Sequence, residues 1–225
     1  MGKTIYSLPT GGLMSEIKER PIAFTSEMVR AILDGRKTQT RRVVRDPIST
    51  HSMILGEPMK HELMVSHRGI WYKPTEWSPY GVTGDRLWVK ETWCPVHDSE
   101  FGEEDWVDYR ATPRYANPGV SHPAGWENAP DDPEALKWRS SRFMPRWASR
   151  IMLEITDVRM ERLQGISLND VNAEGTPYTL DPAMRPYGTR YEQFSRYWDS
   201  INAKLGHPWD SNPWVWVIEF KRIEP

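Results

Sequence analysis

The sequence predicts an α+β fold organised as a single domain. Strand-like alternation of apolar and polar residues recurs at 86–93, 151–160 and 214–223. Helical spacing occurs in three short stretches, near 25–34 and 167–174, each behind capping residues, and 191–204. No internal repeat and no composition break divides the chain, and 225 residues are enough to bury a full core.

Taken in chain order, residues 1–20 carry few apolar side chains and a glycine pair, Gly11-Gly12, and are expected to form an N-terminal arm. Residues 21–225 make up the domain, with insertions at about 46–82 and 95–136. Pro21-Ile22-Ala23-Phe24 reads as a strand. Thr25 or Ser26 then caps a helix through Asp34, with Met28, Val29, Ile32 and Leu33 at helical spacing and Gly35 as the stop. A strand is expected over 38–44. Residues 46–82 mix Pro, Gly and His with weak periodicity, which predicts loops and one hairpin around 63–72. Gly84-Asp85 is a turn leading into the 86–93 strand, and 94–132 reads as a long, acidic surface excursion. After the 151–160 strand, Ser167-Leu168-Asn169-Asp170 is a capping box opening a helix toward Glu174. The last helix sets Phe194, Trp198 and Ile201 on one face, and the closing strand sets Trp214, Trp216, Ile218 and Phe220 on one side.

The residues 35–42, Gly-Arg-Lys-Thr-Gln-Thr-Arg-Arg, stand out chemically. They put Arg36, Lys37, Arg41 and Arg42 beside the hydroxyls of Thr38 and Thr40. Guanidinium forks and a lysine point charge suit a phosphate or a polar base edge, and a threonine beside a base can become a nucleophile. A solvated basic strand would have the same composition.

The net charge of -2 conceals local separation: 135–150 holds Lys137, Arg139, Arg142, Arg146 and Arg150 with no acid, whereas 98–134 is rich in acids, with Arg110 and Arg114 its only basic residues. Twelve tryptophans are expected mainly in the core, with Trp147, between Arg146 and Arg150, the candidate for stacking on a base. Arg146 and Arg150 share a face if their segment is helical. Cys94 is the only cysteine and excludes an internal disulfide. With no apolar run of membrane-spanning length and no signal-peptide core, a cytoplasmic protein is expected. Cys94 and His97 lie three apart without a second pair, and phosphate-loop, dinucleotide and zinc-protease motifs are absent, so neither metal nor cofactor is expected.

The order of these pieces resembles the ASCH domain family. The resemblance rests on Gly35-x-Lys37-Thr38-x-Thr40-x-Arg42, on Gly84-Asp85-x-Leu87-x-Val89 and on the closing Ile218-Glu219-Phe220 strand. Matching segments at 32–42, 84–91, 151–174 and 215–221 cover part of the chain and leave both insertions outside. Val89-Lys90-Glu91-Thr92-Trp93 and Met144-Pro145-Arg146-Trp147-Ala148-Ser149-Arg150 are similar to the longer ASCH-type proteins of tailed phages and prophages, some labelled phage morphogenetic proteins. The resemblance implies a PUA-like mixed β-barrel with a few short flanking helices and two long loop insertions. It also implies recognition of RNA or a modified nucleotide in a cationic cleft, in the cytoplasm of the host cell if phage-encoded. Arg36, Thr38, Arg41, Arg42, Glu91, Arg146, Trp147 and Arg150 are the ligand-binding candidates.

One bacterial branch of the family implies a second activity, hydrolytic removal of an acetyl group from N4-acetylcytidine. Its essential Lys, Thr three positions on, and later Glu fall on Lys37, Thr40 and Glu174, as base, nucleophile and proton carrier. Glu91 is open to two readings, a salt bridge or a place in the pocket. Alternation along a strand would turn Lys37 and Thr40 to opposite faces unless Lys37 lies in the turn after Gly35. RNA cleavage, known for other relatives, and an accessory role in a phage particle are the remaining implications.

Overall fold

The computed structural model describes residues 16–44, 51–55, 60–67, 70–73, 76–96, 106–113, 137–176 and 189–224. Its centre is a mixed five-stranded sheet in the order β1-β6-β9-β10-β2. These strands are β1 (Glu19–Ala23), β2 (Gln39–Val43), β6 (Arg86–Lys90), β9 (Met152–Arg162) and β10 (Trp214–Ile223). β1 runs parallel to β6 and the other neighbours pair antiparallel. Three helices flank the sheet: α1 (Ser26–Leu33), α2 (Leu168–Ala173) and α3 (Arg190–Asn202).

The caps of α1 and α2 lie where the sequence puts them, and that of α3 is a further one. Thr25 Oγ1 accepts from the Met28 amide, and Gly35 takes φ 72° to end the turn after α1. Ser167 and Asp170 form the reciprocal capping box of α2, and Thr189 and Glu192 form another on α3. β10 is buried on both faces and therefore joins two cores. Trp216, Ile218 and Phe220 pack with Ile22, Phe24, Val29 and Leu153 on one side; Val215 and Val217 pack with Val171, Phe194 and Trp198 on the other.

Four expectations are corrected. The 46–82 stretch is not mainly loop: β4 (Lys60–His67) and β5 (Ile70–Tyr72) form the hairpin expected around 63–72, and β3 (His51–Leu55), whose alternation is too weak to read from sequence, pairs with β4 to complete an antiparallel sheet. The strand read over 86–93 ends at Lys90, because Glu91 turns into a buried ion pair; Trp93–Val96 (β7) then leaves the main sheet to pair with β8 (Trp106–Tyr109). The acidic stretch is not wholly surface, since Asp108 is fully buried and Ala111 joins the main core; its residues 97–105 and 114–136 lie outside the described residues. Finally, no ladder among the described residues joins the end strands β1 and β2. A side chain links them instead, with Arg42 Nη2 donating to the Ala23 carbonyl at 2.8 Å.

Among the described residues, no helix is long and apolar enough to cross a membrane.

Candidate functional site

The basic octet leaves α1 at Gly35 and enters β2 at Gln39, so Lys37 precedes the strand and escapes its alternation. Lys37 instead forms an isolated antiparallel bridge with Glu174, the C-terminal cap of α2, and the Thr38 amide donates to the Ala173 carbonyl. Gly175, at φ 65°, permits this close approach. A Cβ there would stand 2.6 Å from Lys37 Cβ and 3.0 Å from Ala31 Cβ.

The Lys37 ammonium is fully buried and donates to the Gln39 carbonyl at 2.7 Å, the Glu174 carbonyl at 2.8 Å and Glu174 Oε2 at 2.9 Å. Burial pulls its pKa below the ordinary lysine value; the Glu174 carboxylate opposes that, and Arg42 and Arg41 add to it. The other Glu174 oxygen accepts from Arg41 Nη1 at 3.1 Å, and Arg41 Nη2 reaches Glu161 at 2.5 Å and Asp170 at 3.5 Å. With its amide turned to suit its neighbours, Gln39 accepts from Arg41 and donates to Asp170. Thr40 is buried, and its hydroxyl accepts from Arg42 Nη1 at 2.9 Å.

Thr40, Arg41, Arg42 and Glu174 line a cavity of about 870 Å³, together with Phe24, Thr25, Arg110, Phe194, Tyr197, Trp198, His207 and others. Arg42 lies over the Phe24 ring at 5.0 Å and Lys37 Nζ at 5.8 Å, so Phe24 links the aromatic wall to the cationic one. Burial raises the Tyr197 phenol above its ordinary value, while its hydrogen bond to Thr25 acts the other way.

The remaining candidates lie elsewhere. Arg36 is exposed and paired to Asp34 at 2.9 Å; Thr38 is exposed. Glu91 is buried and holds Arg150 through two bonds of 2.9 and 3.0 Å, with the Arg150 guanidinium 3.9 Å from the Tyr109 ring centre. Arg146 pairs with Glu19 at 3.0 Å, and Trp147 is 59% exposed, edge-on to Trp93. The 146–150 segment is one 3-10 turn, Arg146–Ala148, rather than an α-helix, so Arg146 and Arg150 go to different carboxylates. The structure thus brings Lys37, Thr40, Arg41, Arg42 and Glu174 together and leaves Arg36, Thr38, Glu91, Arg146, Trp147 and Arg150 outside the cavity wall.

Sequence reasoning missed Phe24, Arg110 and Tyr197. Tyr197 follows Phe194 by one helical turn and precedes Ile201 by another, so the α3 pattern contains the signal. Arg110 enters from the insertion and has no local signature. The carboxylates of Glu161 and Asp170, which neutralise Arg41, come from β9 and α2 and could not be assigned to it from spacing.

No family model matches the chain, and no curated protein matches it. Among solved structures the chain is similar to the crystal structure of protein EF3133 from Enterococcus faecalis V583, which carries the family label DUF984. The identity is 10%, the match covers 93% of this chain and 83% of that one, and the TM-score is 0.38.

Proposed function

We propose that this is an ASCH-type, PUA-like protein that recognises a nucleotide or modified nucleoside, free or within RNA, in the cavity of about 870 Å³. The supporting observation is the composition of that wall. Thr40, Arg42 and Glu174 offer hydrogen-bond donors and acceptors in the same cavity as the rings of Phe24, Tyr197 and Trp198. A base needs both a flat apolar contact and directional polar partners, and the volume lies within the usual range for small-ligand sites. Arg41 serves this reading through Glu174, since its own charge is spent on three carboxylates.

A second reading, an amidohydrolase acting on an N4-acylated cytidine-type nucleoside, is favoured by the desolvated Lys37–Glu174 pair at 2.9 Å, with Glu174 and Thr40 on the same cavity wall. In that reaction Thr40 Oγ forms a bond to the acyl carbon, its proton passes to Lys37, and the C–N bond breaks as Lys37 returns that proton to the leaving amine. Water then releases the acyl group from Thr40. Lys37 donates to three acceptors and therefore rests as the ammonium. To act as base it must first lose a proton, a step that its burial favours.

Incubating the protein with N4-acetylcytidine, beside a Thr40→Ala variant, tests both readings. Turnover abolished by Thr40→Ala supports the hydrolase. Binding without turnover, with only a modest loss in Thr40→Ala, supports recognition alone. If neither N4-acetylcytidine nor any nucleoside or nucleotide binds, both readings fail.

A further inference from the structure

Beside the cavity, the chain makes two consecutive 3-10 turns, Ser141–Phe143 and Arg146–Ala148. Met144 and Ala148 point inward and pack with Trp93 in a small core of their own. The residues between them are forced outward by this anchoring. Phe143 is 70% exposed and Trp147 59% exposed, which makes them the two most exposed aromatic side chains among the described residues. Large apolar rings held in water on a folded turn mark a contact surface.

The same strip is basic. Lys137, Arg139, Arg142 and Arg146 are all exposed. No acid occurs between residues 135 and 150. Lys137 and Arg142 pair with no carboxylate among the described residues, and Arg146 pairs at 3.0 Å with Glu19, which is itself 38% exposed. Within its length the strip meets the cavity, because Ser141, which opens the first turn, is also part of the cavity wall.

We infer that this strip is a docking surface for a single-stranded polynucleotide, which lies along 137–147 and presents one of its bases to the cavity. The inference rests on the cavity reading above for the destination of that base. Charge complementarity selects a polyanion, and two exposed rings select one with accessible base faces, so a single strand suits the strip better than a duplex or an acidic peptide. Phe143 and Trp147 supply the stacking, and Lys137, Arg139, Arg142 and Arg146 follow the phosphates.

The test is fluorescence anisotropy with a labelled single-stranded RNA of about 12 nucleotides, a length within the usual range for such sites. The DNA strand of the same sequence, its duplex and oligoglutamate are run in parallel. The expected result is binding of RNA or DNA single strands in preference to duplex and oligoglutamate. Affinity should fall by about tenfold or more in Phe143→Ala/Trp147→Ala. Because Trp147 touches Trp93, the exposed Arg142→Glu variant serves as a second probe. It should weaken the strand without shifting the thermal melt, and lower the slope of log affinity against log salt by about one. Nucleoside binding in the cavity should be the same in all these variants. A strand that binds the variants as tightly as the wild type overturns the proposal, as does equal binding of duplex, or of oligoglutamate alone. A parallel loss of strand and nucleoside binding also overturns it. Strand binding that depends on the strip, in a protein that takes no nucleoside, would leave the strip standing and reject the cavity reading.

Discussion

Lys37 and Glu174, separated by 137 positions in the chain, are joined twice: their backbones form an antiparallel bridge and their side chains an ion pair of 2.9 Å. Both side chains are withdrawn from water, with exposures of 0% and 6%. The pair fixes the end of α2 against the entrance to β2 and sets a carboxylate on the cavity wall.

Breaking that pair from one side should be costly. Lys37→Met leaves Glu174 buried with only Arg41 to answer it, and Glu174→Leu leaves an ammonium without its counter-charge. Each is expected to cost about 3–5 kcal/mol, while the double variant recovers most of the loss. Urea unfolding of the four proteins gives the coupling energy, and additive losses would show that the two side chains do not depend on each other.

Gly175→Ala should separate the same two elements by steric force. The new methyl would meet Lys37 Cβ at 2.6 Å, at a residue whose φ is already 65°. A loss of about 2 kcal/mol or more is expected from strain and overpacking together. Gly165→Ala, where nothing lies within 4 Å, serves as the control and should change little by the same denaturation measurement.

Glu91 and Arg150 make a pH-dependent contribution. Burial raises the Glu91 carboxyl above its ordinary 4.5, and Arg150 opposes the rise. Replacing Arg150 by Met should raise it further. The folded state then holds the proton more tightly than the unfolded one, so stability is greatest below about 4.5 and falls as pH climbs through the folded value. Chemical denaturation of Arg150→Met at pH 5 and pH 8 should show the lower stability at pH 8, by a wider margin than in the wild type. A pH-independent loss would mean that Arg150 acts by packing on Tyr109 rather than by charge.

Local chemistry was legible in the sequence wherever a signal lies within a few residues. The Thr25 cap, the Gly35 stop, the Ser167 capping box and the closing strand at Trp214–Ile223 all follow from neighbouring side chains, whereas the burial of that strand's second face, Val215 and Val217, does not. The association of Lys37 with Glu174 came from a resemblance rather than from spacing, since no local pattern links positions on different elements. What the charge pattern hid was neutralisation at a distance. Arg36, Lys37 and Arg41 read as a cationic surface, yet Asp34, Glu174, Glu161 and Asp170 answer them, three of those four from remote elements. Of the three-stranded sheet of 51–72, the hairpin of its last two strands was legible, whereas the first strand, His51–Leu55, alternates too weakly to announce itself.

The most direct measurement of the central claim is calorimetric titration of cytidine-type nucleosides into the wild type and an Ile201→Trp variant. Ile201 lines the cavity from α3, and an indole there would occupy the space a base needs. The account predicts binding by the wild type and its loss in the variant, with the fold of both intact by circular dichroism. Equal binding by the two proteins, or none by either, would contradict it.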